Sequence, residues 1–138
     1  LARKTKRNGK PAIEDPQVRQ SLIELEGYMR AHEYSSYRQL TKAAKNESPG
    51  IVQLMNKLNG TQIGHRAAKI GLDLLGDVSL IAPDPRRTEG AVQGAGWVNQ
   101  FMWSLGTALA GGTSNIQRNV IGERGLGLPR DEAAQRSK

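Results

Sequence analysis

The stretch DPQVRQSLIELEGYM (Asp15–Met29) carries the first clear helix start of the chain and its first amphipathic pattern. An aspartate followed by a proline places a good N-cap residue directly before a residue that favours the first helical position. Apolar residues then recur at spacings of four, three and four, which is the period of one helix face: Val18, Leu22, Leu25 and Met29. The stretch predicts a long helix that begins at Pro16 and extends to about Asn46.

Three further helices are predicted downstream. Ser48 and Pro49 repeat the cap-then-proline pattern and predict a second helix that ends near Gly76. A third helix is predicted over residues 91–110, after a loop over residues 77–90 that contains two prolines. A fourth begins at Ser114, which has the capping-box spacing to Gln117. No segment alternates apolar and polar residues as a strand does, so the predicted fold is all-α, an antiparallel four-helix bundle.

Three glycines interrupt the second predicted helix: Gly60, Gly64 and Gly71. Each costs the helix about 1 kcal/mol relative to alanine. We therefore expect them to permit the close approach of a neighbouring helix or a ligand.

Several side chains of other chemistry have simple structural explanations. The apolar face of the third helix carries Trp97, Phe101 and Met102, and its helical spacing favours packing in the core or at a subunit interface over an acyl pocket. His32 and His65 are isolated histidines without a metal-like pattern of carboxylates around them. We therefore predict surface or interface roles for both histidines and no metal site.

Length and composition set the class of protein. A chain of 138 residues fits one helical domain, with the hydrophobic and charged content of a globular protein. It has no cysteine, which excludes disulfides and thiolate zinc sites, and no apolar run long enough for a bilayer. No export segment is visible, so we expect a cytoplasmic location. Because the first residue is Leu1, we expect residues 1–138 to be a piece of a longer protein.

The net charge of +7 indicates an anionic partner. Five basic residues lie within the first ten positions: Arg3, Lys4, Lys6, Arg7 and Lys10. A nucleic acid would use such a cluster, but no aromatic residue interleaves it and no zinc-finger or RNA-binding signature is present. A solvated basic arm is favoured, and a cofactor or substrate that bears phosphates would use the same charges.

A double glycine precedes the fourth predicted helix, in the sequence GGTSN (Gly111–Asn115). The first turn of a helix has unpaired backbone N–H groups, and glycines ahead of it let an anion approach them. Thr113, Ser114 and Asn115 add polar side chains that can bind the same anion. The alternative is a simple turn capped by Ser114, and local chemistry leaves both interpretations open.

The longer stretch GGTSNIQRNVIGERGLGLPRD (Gly111–Asp131) resembles the C-terminal signature of the acyl-CoA dehydrogenase family. NGKPAIEDPQVRQSLIELE (Asn8–Glu26) and LDLLGD (Leu72–Asp77) resemble, more weakly, the opening of the C-terminal helical domain of that family and its glutamine-and-glycine flavin motif. The resemblance implies FAD as cofactor, an acyl-CoA substrate, a homo- or hetero-oligomer, and an electron acceptor such as an electron-transfer flavoprotein. It covers the C-terminal domain only, so residues 1–138 are expected to be the last part of a longer enzyme.

Family residues carry over to this sequence only at some positions. Most members have a catalytic glutamate where this chain has Gly111, so no catalytic residue is assigned here. The base of such a protein would lie upstream, or the subunit would lack one. The resemblance implies flavin contacts by Gly112, Thr113 and Asn115, and more weakly by a second group near the other family motifs: Asp73, Gly76 and Arg7. Asp73 replaces the glutamine of the family, and Asp77 replaces a glycine, which places negative charge where a pyrophosphate would lie.

Three functional hypotheses follow. The first is the C-terminal domain of a flavin-dependent acyl-CoA dehydrogenase, with the 138 residues inactive by themselves. The second is a non-catalytic, structural subunit of a heteromeric enzyme of that family. The third, less favoured, is a basic helical module that binds nucleic acid.

Overall fold

A computed structural model describes residues 1–80 and 92–130. The described part begins with a short antiparallel pair, β1 (Lys6–Arg7) and β2 (Lys10–Pro11), and a 3₁₀ turn at Ala12–Glu14. Four α-helices follow: α1 (Pro16–Ala44), α2 (Ile51–Leu75), α3 (Val92–Leu109) and α4 (Ser114–Val120). A 3₁₀ turn at Gly76–Leu80 follows α2, and a π-helical turn at Ile121–Gly125 follows α4. The all-α fold is confirmed, while most of the loop predicted over residues 77–90 lies outside the described residues.

The start of α1 is the one that the Asp-Pro pair predicts. The Asp15 carboxylate accepts hydrogen bonds from the backbone N–H groups of Gln17, at 2.8 Å, and Val18, at 3.4 Å. Arg7 approaches the same carboxylate at 3.5 Å from the strand pair. One side chain therefore begins the helix and fixes the N-terminal segment to it.

We expect Asp15→Ala to lower the free energy of unfolding by about 1 kcal/mol, because α1 loses its side-chain cap. Asp15→Asn is the matched control, since its amide oxygen still caps the helix while the charge that faces Arg7 is lost. The ion pair is partly exposed and contributes little, so the asparagine variant should unfold close to the parent. Urea unfolding followed by circular dichroism measures both. Equal losses in the two variants would show that the charge, and not the cap, stabilises this end.

The caps predicted for two helices were wrong, although α4 does begin at Ser114 as predicted. Ser48 does not cap α2, because the chain turns at Gly50 with a φ of 69° and the Ser48 hydroxyl accepts a bond from the Gly50 N–H within that turn. Ser114 does not cap α4 either, since it is already the first helical residue. Thr113, with a ψ of 166°, occupies the N-cap position without a side-chain cap bond.

The prediction that no strand is present was also wrong, for β1 and β2. Asn8 and Gly9 connect them with φ values of 53° and 79°. Two successive left-handed residues are typical of the tight turns that join antiparallel strands. Strands of two residues are too short to show an alternating pattern in sequence.

The helix α2 lies between α1 and α3 and makes the cross-helix bonds that the structure describes. Gln39 of α1 and Asn56 of α2 exchange two amide hydrogen bonds, of 3.0 and 2.8 Å. Near the other end of α2, the Trp97 ring of α3 lies against Gly71 in the space that a side chain would fill. The expected close approach is thus found at Gly71, whereas a Cβ at Gly64 would have no neighbour within 4 Å.

The outer face of α1 carries a short row of polar contacts. Arg30 donates to Glu26 at 2.8 Å and to Glu33 at 3.0 Å, and these bonds raise the pKa of Arg30. The Tyr37 hydroxyl donates to Glu33 at 3.0 Å, which raises the pKa of the phenol. Such exposed pairs stabilise a helix only slightly.

The buried core of the described residues is small and lies where the N-terminal segment meets α1 and α2. Its main cluster consists of Ala2, Ala12, Val18 and Leu74. Many large apolar side chains remain exposed, among them Ile23, Tyr34 and Leu40 on α1 and Met102, Trp103 and Leu109 on α3. None of the described helices combines the length and the apolarity that a bilayer crossing requires.

Candidate functional site

The double-glycine turn between α3 and α4 has a well-defined geometry. Gly111 and Gly112 both take left-handed conformations, with φ values of 66° and 97°. The Gln117 side chain donates from Nε2 to the Gly111 carbonyl oxygen at 2.8 Å, which closes the turn from the side of α4. A Cβ on Gly112 would lie 3.0 Å from that same Nε2 atom. Glycine is therefore required at residue 112 both by conformation and by space.

The polar side chains after this turn are not used by the fold. Thr113 and Asn115 are exposed and Ser114 is half-buried, and none of the three bonds through its side chain to another described residue. The helix that follows has seven residues, so its dipole is short. The hydroxyls and the amide, more than the helix end, are what this surface offers to a ligand.

Lys57 of α2 lies beneath the turn, and sequence reasoning missed it. Its ammonium donates to the Thr107 carbonyl oxygen at 2.7 Å and to the Thr61 hydroxyl at 3.0 Å. Its Cε atom would be 3.5 Å from a Cβ on Gly111. A lysine inside an amphipathic helix normally indicates a solvated face, so the sequence carries no local signal for this contact.

The second predicted group lies near the far end of α2. Arg7 and Asp73 line one cleft of about 330 Å³, together with Gln17, Gln20 and Ser21 of α1. Gly76 ends α2 with a φ of 55°, as predicted for a helix C-cap, and its N–H donates to the Leu72 carbonyl oxygen. Arg7 is also the residue paired with Asp15.

The structure does not bring the six predicted cofactor residues together in one place. Gly112, Thr113 and Asn115 follow the turn that Lys57 contacts, whereas Arg7, Asp73 and Gly76 lie at the C-terminal end of α2. Sixteen residues of helix separate Lys57 from Asp73, which corresponds to about 24 Å along the α2 axis. Any one ligand that met both groups would have to be long, or the groups would serve two ligand molecules.

The remaining candidates take structural positions. His65 lies between α2 and α3, where its Nδ1 atom is 2.9 Å from the buried Ser104 hydroxyl and its ring lies 5.3 Å from that of Phe101. The Ser104 hydroxyl donates to the Phe101 carbonyl oxygen at 2.6 Å, so His65 is the donor in the bond between them. Trp97 borders an apolar cleft of about 500 Å³ that Leu1, Leu22 and Ile70 also line. In the described ranges, no three side chains are grouped as metal ligands would be.

Comparison with known proteins agrees with this architecture. Residues 1–126 match the family model described as acyl-CoA dehydrogenase, C-terminal domain. The acyl-CoA dehydrogenase IpdE1 of Mycobacterium tuberculosis is 30% identical over 132 residues, which cover 95% of this chain and 30% of that protein. IpdE1 of Mycolicibacterium smegmatis is 30% identical over 131 residues, with the same coverage of both chains.

A solved structure shows the same fold. The Tcur3481-Tcur3483 steroid ACAD superposes with a TM-score of 0.68 and 22% identity, over 86% of this chain and 30% of that one. The present chain thus spans about 30% of the length of the curated relatives that it matches. On the family match over residues 1–126, the chain belongs to the acyl-CoA dehydrogenase family, of which it is a C-terminal domain.

Proposed function

We propose that residues 1–138 are the C-terminal helical domain of a longer, FAD-dependent acyl-CoA dehydrogenase that converts an acyl-CoA thioester to its 2-enoyl-CoA. The observation that carries the proposal is the double-glycine turn, whose following side chains, Thr113 and Asn115, are exposed and unused by the fold. The curated relatives support a longer protein, because the chain matches only 30% of their length. In this proposal, the domain contributes flavin contacts and subunit contacts, and it does not react by itself.

The residues of the turn fit a flavin dinucleotide. A threonine hydroxyl both donates and accepts hydrogen bonds, and an asparagine amide does the same, so together they can pair with the carbonyl, hydroxyl or phosphate oxygens of the cofactor. Gly112 contributes through its backbone groups, since the space of its missing Cβ is taken by Gln117 and Ile116. We assign Gly112, Thr113 and Asn115 to one flavin contact.

The end of α2 fits a phosphate poorly. The guanidinium of Arg7 already faces the Asp15 carboxylate, and the Asp73 carboxylate lines the same cleft as Arg7. Two carboxylates and one guanidinium leave that cleft without an excess of positive charge. Asp73 suits a ribose hydroxyl, which donates to a carboxylate, and Arg7 remains for a weaker contact, while the Gly76 N–H already donates to the Leu72 carbonyl oxygen.

The reaction divides between the cofactor and the protein. When bound, the flavin supplies the acceptor for a hydride from the β-carbon of the acyl group. The protein must hold a carboxylate that removes the α-proton, and Gly111 has no side chain to do so. The proton acceptor of the complete enzyme therefore belongs to another part of the protein, and the 138 residues alone are expected to be inactive.

The same glycine favours a second candidate function, a non-catalytic subunit of a heteromeric acyl-CoA dehydrogenase. In that case the partner subunit would carry the catalytic base, and this chain would contribute only subunit contacts. Purified complete protein distinguishes the two. Turnover of an acyl-CoA with a dye or an electron-transfer flavoprotein as acceptor supports the first, and turnover only after a second subunit is added supports the second.

The exposed apolar side chains on the outer side of α3 support an oligomer, because a monomer rarely leaves such a patch in water. We propose at least a dimer and, in the complete enzyme, a dimer of dimers. The family match makes nucleic-acid binding the least favoured of the three hypotheses. The basic residues at the N-terminus are then solvated or, like Arg7, paired within the fold.

Replacement of Thr113 tests the proposed flavin contact. In the complete protein, we expect Thr113→Val to weaken FAD binding by about 1–2 kcal/mol, because the variant loses a hydroxyl while it keeps the size and branching of the side chain. Stability should not change, since the Thr113 hydroxyl makes no cap bond. The dissociation constant for FAD, measured by fluorescence quenching, and the melting temperature of the apoprotein are the two readouts.

Thr41→Val is the matched control, because the Thr41 hydroxyl bonds to the Tyr37 carbonyl oxygen on the exposed side of α1. It should leave flavin affinity unchanged. Unchanged affinity in Thr113→Val together with a clear loss of stability would mean that the segment is only a turn. The assignment of Thr113 to the cofactor would then be dropped.

A further inference from the structure

We propose that Lys57 is a positioning residue that holds the double-glycine turn, and through it Thr113 and Asn115, in place for the cofactor. The effect on cofactor binding rests on the proposed function. The ordering of the turn by Lys57 rests only on the contacts that the structure shows. Lys57 belongs to α2, and it reaches across to the last turn of α3.

The contacts of Lys57 fix the point at which the chain leaves α3. Carbonyl groups in the last turn of a helix have no partner within the helix and carry partial negative charge. The last turn of α3 contains no basic residue of its own. Lys57 supplies the missing cation from α2, with a bond of 2.7 Å to the Thr107 carbonyl oxygen, and Thr61 orients the ammonium from one helical turn away.

The turn needs such an anchor because glycine restricts the backbone so little. Two successive glycines, each in a left-handed conformation, leave the direction of the following segment poorly determined by the chain itself. On one side the Gln117 amide holds the Gly111 carbonyl oxygen at 2.8 Å. On the other side the Lys57 stem lies against Gly111, with Cε 3.5 Å from the position of a Cβ. The turn is thus held by one side chain of α4, and the end of α3 directly before it by one side chain of α2.

A matched arrangement elsewhere in the chain provides the control. The Lys42 ammonium donates to the Ser48 carbonyl oxygen at 3.3 Å, and it lies 3.7 Å from the position of a Cβ on Gly50. This lysine also lies beside a glycine turn before a helix, but that turn joins α1 to α2 and not α3 to α4. If the loss of flavin affinity came from removing any lysine-to-carbonyl bond, it would appear in variants of both Lys57 and Lys42.

The test compares Lys57→Met with Lys42→Met in the complete protein. We expect Lys57→Met to raise the dissociation constant for FAD by roughly 3- to 10-fold and to speed amide hydrogen exchange at residues 117–120 of the apoprotein, the first bonded amides after the turn, by a similar factor. Lys42→Met should change neither. Because Lys57 is inferred to act through the turn, the double variant with Thr113→Val should lose less affinity than the sum of the two single losses.

Two outcomes overturn the inference. One is unchanged exchange at residues 117–120 in Lys57→Met. The other is a lower melting temperature with full flavin affinity, which would mean that Lys57 only stabilises the fold. If Lys57→Met does not fold, Thr61→Val serves instead, since it removes one partner of the ammonium and should shift both readouts in the same direction by less. If the wild-type protein binds no flavin, the proposed function fails, while the exchange measurement still decides whether Lys57 orders the turn.

Discussion

Gly71→Ala should destabilise the protein by about 1–2 kcal/mol, even though alanine is the better helix former. The added Cβ would lie 2.5 Å from Cδ2 and 2.9 Å from Cζ3 of the Trp97 ring, well inside van der Waals contact. These atoms belong to a rigid indole between two helices and not to the end of a flexible side chain, so α2 and α3 must move apart. That cost exceeds the gain of about 1 kcal/mol in helix propensity.

Gly64→Ala, in the same helix, should have the opposite sign. Nothing lies within 4 Å of a Cβ at residue 64, so the variant gains helix propensity without a clash and should be more stable by up to about 1 kcal/mol. Thermal unfolding of both variants of the complete protein measures the difference. If Gly71→Ala were as stable as Gly64→Ala, the close packing of Trp97 against α2 would be wrong.

Prediction from sequence succeeded where the deciding contact is local. The cap of α1 joins Asp15 to amides two and three residues away, so the pair Asp15 and Pro16 contains all the information needed. The end of α2 at Gly76 is of the same kind, because one left-handed residue stops the helix. Such features follow from dihedral preferences and short-range hydrogen bonds.

Prediction failed where the deciding contact joins distant parts of the chain. The three glycines of α2 look alike in sequence, and only the position of Trp97, on another helix, shows that Gly71 is the one at a close approach. Lys57 meets the carbonyl of a residue fifty positions away, which no periodicity indicates. Ser114 and Gln117 have capping-box spacing, but Gln117 bonds instead to Gly111 because the double glycine turns that carbonyl toward it.

The candidate site shows the same division. The order of glycine, threonine and asparagine at residues 111–115 predicts a cofactor contact. The structure adds that the polar side chains there make no bonds within the described fold. The sequence does not show that the two predicted cofactor groups lie about 24 Å apart along α2, because that separation depends on the unbroken course of the helix through Gly60, Gly64 and Gly71.

Trp103→Glu should weaken self-association of the complete protein by about 100-fold, which corresponds to the loss of one tryptophan hot spot and the burial of a charge. The Trp103 side chain is 74% exposed on the outer side of α3, beside Met102 at 61%, and Leu109 is 70% exposed at the end of the same helix. The inner side of α3 already packs against α2. Trp97 of α3 lies against Gly71 of α2, and Ser104 of α3 bonds to His65 of α2. The exposed side is therefore the one left for a contact with another subunit or with another domain of the complete protein.

The control for this prediction is Leu40→Glu, which places the same charge at a residue of α1 that is 66% exposed. If association uses the α3 face, Leu40→Glu should associate like the parent protein, and only Trp103→Glu should dissociate at micromolar concentration in sedimentation experiments. A parent protein that sediments as a monomer at high concentration would contradict the proposed oligomer. Equal weakening by both substitutions would place α1 in the interface as well, and α3 would no longer be distinguished by its exposed tryptophan.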